Sequence, residues 1–268
     1  MSLFLPVIPY FSFVQFEVGH FRLYSWGLMV GLGFAVGIIV SALLANRAKF
    51  NVDYILNLSI IIFIGSFLGA RLFYVLFNLD EFNHNWADAF RLYNGGMAYY
   101  GGFLLALVFS ALYIKIKKLN FWQIADLLVP GMALGNFFGR LGCLAIHDHI
   151  GTITAMPWGM EYFGEVRHEP MIYEALSSLA MFFFFLWWRK RLKYQGLLFL
   201  TFLVWYSAAR LLFDFFRSDD LPFSDARYFG LTAAQHLSVL IIIIVIYIFW
   251  RKNHYLVPTQ NNEARKIA

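Results

Sequence analysis

Four residues with charge or a phenol recur on one helical stripe of an otherwise apolar run, VWYSAARLLFDFFRSDD. Tyr206, Arg210, Asp214 and Arg217 stand at i, i+4, i+8 and i+11. At about 100° per residue they fall within one narrow arc. A guanidinium at membrane depth costs on the order of 3 kcal/mol even on the mild insertion scales, so its presence needs a reason. One reason is a structural Arg–Asp tie between helices. That explains Arg210 and Asp214, and less well the second arginine and the tyrosine. The other is chemistry: a guanidinium is a planar fork of donors suited to phosphate or carboxylate.

A second such group closes another apolar run. Arg140 lies in GNFFGRLGC, where Gly135, Gly139 and Gly142 permit close approach of a helix or a lipid headgroup. His147, Asp148 and His149 follow. They lack the His-x3-His spacing by which a helix presents two metal ligands, so no metal site is expected. A base, or a base and the group that orients it, fits better, because histidine titrates near neutrality. Tyr100, in NGGMAYYGGF, is a further acid–base candidate, whereas Tyr99 reads as an interfacial aromatic. Arg71 heads a third stripe with Tyr74 and Asn78 at i+3 and i+7. The one cysteine, Cys143, permits no internal disulfide and reads as a small apolar filler.

The elements that must hold these residues are membrane helices. Of 268 residues 60% are hydrophobic and only 14% charged, against about a quarter in a soluble domain. Mean hydropathy is +0.63. Apolar segments near 24–45, 55–77, 97–114, 124–146, 171–188, 196–216 and 235–250 approach the roughly 20 residues that span a bilayer. The expected fold is an all-α integral membrane protein of seven transmembrane helices. One domain covers 1–250, with an N-terminal surface segment over 1–22 and a basic cytosolic tail over 251–268. The start lacks the basic n-region of a secretory signal. No strands of note are expected. Every lysine falls in alternate loops, which the positive-inside rule assigns to the cytosol; the N-terminus is then outside and the C-terminus inside. The positive charges left on the other side are all arginines, including Arg71, Arg140, Arg167, Arg210 and Arg217.

Taken in order, these motifs resemble the bacterial prolipoprotein diacylglyceryl transferases. LYSWGLMVGLGF is similar to the family's Tyr-Gly-Leu-Met opening, with Trp26 or Tyr24 in the aromatic place. FLGARLFYVLF matches the second span. GGMAYYGG resembles Gly-Gly-Met-x-Phe-His-Gly-Gly, with Tyr100 where many members have histidine. The GRLGC segment resembles the signature Gly-Arg-x-Gly-Asn-Phe-x-Asn-Gly-Glu-x-x-Gly. Arg140, Gly142 and Gly151 keep their places there, Asp148 stands for the glutamate and Cys143 for the first asparagine. RHEPMIYEAL keeps Arg167, His168, Tyr173 and Glu174 of another element, with Met171 for its glutamine. YSAARLLFDFFRSDD resembles Tyr-x-x-x-Arg-x-x-x-Glu-Phe-x-Arg, and LTAAQHLSV matches the start of the last span.

The resemblance implies transfer of a diacylglyceryl group from phosphatidylglycerol to the lipobox cysteine of a preprolipoprotein. A thioether forms and glycerol phosphate leaves. It implies a bacterial inner-membrane enzyme with its site toward the outer face, membrane lipid around it, and no cofactor, metal or nucleic acid. Arg140 and Arg210 would flank the lipid phosphate, with Arg167 and Arg217 steering the headgroup and Asp214 holding Arg210. Trp26, Arg71, Gly142, Gly151, Glu174 and Tyr206 would complete the substrate site. Tyr100, His147 and His149 compete for the role of base, with Asp148 as orienter. A transporter or a lipid-binding protein also uses intramembrane arginines. The two halves of the chain, however, lack the repeat common in transporters, and the charges gather at one face.

Overall fold

The structure is a computed structural model that describes residues 8–18, 21–82, 85–91, 96–162, 164–192, 194–222 and 224–251. Among these, seven helices are long and apolar enough to cross a membrane. They are α1 (Ser25–Arg47), α2 (Val52–Phe77), α3 (Tyr99–Ile116), α4 (Phe121–Ile146), α5 (Pro170–Trp188), α6 (Leu197–Phe213) and α7 (Ala233–Trp250). Each apolar segment read from the sequence holds one of them. Helices are the form such runs must take, because in hydrocarbon every backbone N–H and C=O needs a partner within the segment.

Polar residues fix where the helices start. Asn51 caps α2 by accepting from the Asp53 N–H. Glu169 caps α5, with Pro170 at the first helical position. Thr232 and Gln235 form a capping box at α7. The cap of α6 comes from another helix: Asp126, on α4, accepts from Gly196 N at 2.6 Å and Phe199 N at 2.9 Å.

The strands among the described residues are short and paired antiparallel: β1 (Gln15–Val18) with β2 (Phe21–Tyr24), β3 (Met160–Tyr162) with β4 (Glu165–Arg167), and β5 (Arg227–Tyr228) with β6 (Leu231–Thr232). They lie outside the apolar spans, in segments the helical period does not reach. The first pair runs from within the stretch 1–22 to Tyr24, and Phe13, Phe16, Leu23 and Tyr24 are exposed there.

The chain divides into two compact units. One, Ala42–Ile124, is built on α2 and α3, whose backbones meet at Gly69 and Gly101. The other joins Met1–Ser41 to Ala125–Ala268. Its interior packs α4, α5 and α6 through Val129, Ala133, Met181, Phe185, Leu198 and Phe202. Gly33 of α1 lies against Gly135 of α4 so closely that a Cβ on either would press on the other's carbonyl.

A small backbone ladder gathers the loops of this second unit. Gly151 N donates to His168 O at 3.0 Å, His168 N to Thr152 O at 2.9 Å, Thr152 N to Phe216 O at 2.9 Å and Ser218 N to Ile150 O at 3.0 Å. The stretch 150–152 thus lies between the chain entering α5 and the chain leaving α6.

Candidate active site

Glu174 stands just over one turn into α5 and is almost wholly buried. Three guanidiniums converge on its carboxylate. Arg140 Nε, from α4, lies 2.9 Å from Oε2. Arg210, from α6, donates through Nη1 to Oε1 at 2.7 Å. Arg217 Nη2 lies 3.5 Å from the same oxygen. A second, fully buried carboxylate backs them: Asp214 is 2.9 Å from Arg217 Nε and 3.5 Å from Arg210 Nη2. The Thr232 hydroxyl, at the cap of α7, donates to Asp214. Asp225, half exposed, receives Arg217 Nη1 at 2.7 Å.

The stripe read from the sequence is bent where it matters. α6 ends at Phe213, a 3₁₀ turn covers Asp214–Phe216, and Arg217 is extended. Asp214 faces Arg210, as expected, at 3.5 Å, and also pairs with Arg217 at 2.9 Å.

Several buried groups in the cluster are close to an opposite charge but lack hydrogen-bond geometry. They are Arg140 Nε, Arg217 Nε and Nη2, and Asp214 Oδ1. A buried polar group without a hydrogen bond costs about 1–3 kcal/mol, more when charged. With Asp225 included, three guanidiniums face three carboxylates, so the cluster is balanced in charge but incomplete in hydrogen bonding. A small cleft reaches the cluster, lined by Asn136, Glu174, Ser177, Tyr206 and Arg210 among others. The Tyr206 hydroxyl receives Arg140 Nη2 at 3.4 Å.

Comparison with known proteins points one way. The family described as "Prolipoprotein diacylglyceryl transferase" matches residues 13–251. A protein of Aliarcobacter butzleri is 33% identical over 94% of this chain and 98% of its own length. One of Campylobacter hominis is 31% identical over 91% and 92%, and one of Clostridioides difficile 29% over 90% and 96%. Each bears the name phosphatidylglycerol–prolipoprotein diacylglyceryl transferase. The chain belongs to the prolipoprotein diacylglyceryl transferase family.

The residues that the resemblance to the transferases singled out fall in different places. Arg140, Tyr206, Arg210, Asp214, Arg217 and Glu174 come together. Arg167 does not join them. It binds Glu165 Oε2 through Nη2 at 2.6 Å, both Asp220 oxygens at 3.0 and 2.6 Å, and the Gly151 carbonyl at 3.2 Å. Its donors are taken by a clamp between β4 and the loop after α6, away from the Glu174 cluster. Gly151 sits in the ladder, where a Cβ would run into the His168 and Phe216 carbonyls. Gly142 packs on Trp26 and Met29 of α1. Trp26 is half exposed, beside the buried Cys143.

The two histidines part company. His147 is buried in the left-handed region, at φ 50°, with both ring nitrogens engaged. Its Nε2 meets the Phe11 carbonyl and must donate, since a carbonyl only accepts. Its Nδ1 lies 2.7 Å from the Tyr162 hydroxyl and 3.0 Å from Glu169 Oε2. Tyr162 also donates to Glu169, and burial together with that carboxylate pushes its phenol well above the usual tyrosine range. This is a buried tie between the N-terminal segment, the end of α4 and the cap of α5. His147 is therefore unsuited to the base role expected of it. His149 is only partly buried, its Nδ1 2.7 Å from Asp148 Oδ1.

Arg71 and Tyr100 belong to the Ala42–Ile124 unit. Arg71 is buried and ties the loop before α3 to α2, donating to the carbonyls of Asp88, Ala89 and Gly96 at 2.6, 2.7 and 2.9 Å. Tyr100 is exposed, edge-on to Tyr99. Sequence reading placed Glu174 only among the substrate contacts and missed its place at the centre, along with Thr232 and Glu169. The T-x-x-Q pattern at 232–235 announces a helix cap. Nothing in it announces that the capping hydroxyl also reaches Asp214.

Proposed function

We propose that this chain moves a diacylglyceryl group from phosphatidylglycerol to the thiol of a prolipoprotein, with the cluster around Glu174 receiving the lipid phosphate. The family match and the names of the relatives support the transfer. The observation that carries the site assignment is the convergence of guanidiniums from α4 and α6 on one buried carboxylate, with buried N–H groups that face it without hydrogen-bond geometry.

In the reaction the lipobox sulfur forms a bond to a glycerol carbon, and the bond from that carbon to the phosphate oxygen breaks. The electron pair leaves on glycerol phosphate, and the thiol proton passes to a base. Negative charge therefore grows on the departing phosphate. Arg140 and Arg210 meet it with donors already in place, which removes the need to reorganise water at that moment. Asp214 holds Arg210, and Arg217, which shares Asp214 and also binds Asp225, steers the headgroup. His149, with Asp148 beside it, takes the proton as the imidazole not locked into the fold.

The site opens toward the extracytoplasmic side of a bacterial inner membrane, with the N-terminus outside and the C-terminus in the cytosol. The alternation of lysine-bearing loops supports this. A Cys143→Ala background carrying Lys118→Cys or Asp220→Cys tests it. Impermeant maleimide applied outside intact cells should label position 220 and spare 118, and the reverse pattern refutes the orientation. For the activity, purified protein with phosphatidylglycerol and a lipobox peptide should raise the peptide mass by one diacylglyceryl unit. An unshifted peptide with correctly folded protein would sink the assignment.

A further inference from the structure

The carboxylate of Glu174 occupies the space between Arg140 and Arg210 that the lipid phosphate needs. Its two oxygens are divided between them, Oε2 to Arg140 and Oε1 to Arg210. We propose that Glu174 is an internal counter-anion, which the incoming phosphodiester displaces from Arg140 and Arg210 and which returns to expel glycerol phosphate after transfer. This rests on the reading of the cluster as the phosphate site.

The surroundings favour exchange over permanent pairing. Arg140 and Arg210 keep 15% of their side-chain surface exposed, whereas Arg217 keeps 4%. Arg210 lines the cleft, and Arg140 is reached through Glu174 and Tyr206, which also line it. Arg217 has Asp214 and Asp225 as its own partners, and Glu174 touches it only at 3.5 Å. Glu174 can therefore give up two guanidiniums and stay beside the third. The contact it would leave is imperfect, since Arg140 Nε faces it at charge distance without a hydrogen bond. A narrow cleft lined by Glu174, Ser177 and Arg210 reaches the carboxylate, so the exchange requires these side chains to part. A resident carboxylate keeps three buried cations from repelling one another when no lipid is bound. It also weakens the hold on every phosphate, the product included, by competing for the same donors.

The prediction is a split that loss of packing does not produce. With Glu174→Gln the competing charge is gone. Glycerol phosphate should inhibit transfer about tenfold more strongly, KM for dioctanoyl phosphatidylglycerol should fall, and kcat should fall because product leaves slowly. Glu174→Asp keeps the buried charge, and so the fold, but draws it back by one methylene. It should shift inhibition in the same direction by a smaller factor. If glycerol phosphate inhibits either folded variant no better than wild type, or worse, the counter-anion role is wrong. Wild-type protein assayed beside them separates the two ideas. A wild type that gives no peptide mass shift defeats the functional reading, whereas a normal wild type with unshifted inhibition in the variants defeats only this inference.

Discussion

At the residue scale the cluster is defined by which arginines keep free donors. Arg210 meets Glu174 through one fork nitrogen and has Asp214 at 3.5 Å from the other. A lysine in its place delivers the charge at one point and cannot bridge two acceptors. Arg210→Lys is expected to lower kcat by about 10²-fold or more, the range seen when one preorganised donor is lost from a charged transition state. Near-wild-type transfer by a correctly inserted Arg210→Lys variant would mean that charge alone suffices. The histidines make opposite predictions. His149→Gln should cut kcat by about 10²-fold, as loss of a general base does. His147→Gln breaks a buried tie and should lower the melting temperature, with a cost of about 1–3 kcal/mol. The folded fraction should keep the wild-type pH profile. Exchanged phenotypes would reverse the two roles.

At the element scale the 150–152 stretch decides where Arg217 sits. It pairs with His168 on one side and with Phe216 and Ser218 on the other, which brings the end of α6 against the start of α5. Gly151 is the point of closest approach, with backbone oxygens on both sides. Gly151→Ala should push the two apart and destabilise the protein by about 1–3 kcal/mol, as overpacking does. It should also reduce transfer beyond what the loss of folded protein explains, because Arg217 moves off the Arg210–Asp214 pair. Activity per folded molecule equal to wild type would detach the ladder from the site. The seven helices were legible from hydropathy, since each segment must satisfy its own backbone in lipid. The hairpins were not, because strands of two to four residues carry too little period to stand out from loop. The bend at Asp214 was hidden for a related reason: a 3₁₀ turn keeps the residue spacing and changes only the angle.

At the scale of the whole molecule, stability should depend on pH through groups outside the spans. Burial lowers the pKa of the His168 imidazole, whose Nδ1 lies 2.8 Å from the Tyr173 hydroxyl. Its folded value then lies below the unfolded ~6.5. In that window the unfolded chain binds more protons, so stability is full above about pH 6.5 and is lost as pH falls through the folded value. The Asp220 carboxyl is also lowered, by its hydrogen bonds to Arg167. Its contribution holds above the unfolded ~3.9 and disappears only as pH falls through the still lower folded value. Thermal melting of the detergent-solubilised protein should therefore weaken from pH 7 to pH 5, and His168→Gln should flatten that slope. An identical slope in the variant would assign it to other groups.

The sequence by itself determined the class of protein and the kind of chemistry. Apolar runs of span length force helices, arginines inside them demand an anion or a counter-charge, and the order of short motifs marks the family. Those are properties of composition and local spacing. Only the tertiary structure decided which charges meet. Arg140, Glu174 and Arg210 lie 34 or more residues apart on three helices, and no periodicity links them. It decided also that Arg167 and His147, equal to the others as sequence motifs, are held by Asp220, Glu165, Glu169 and Phe11. The physical reason is that a buried charge or imidazole is defined by the partners that fill its hydrogen-bonding capacity, and those partners come from distant parts of the chain.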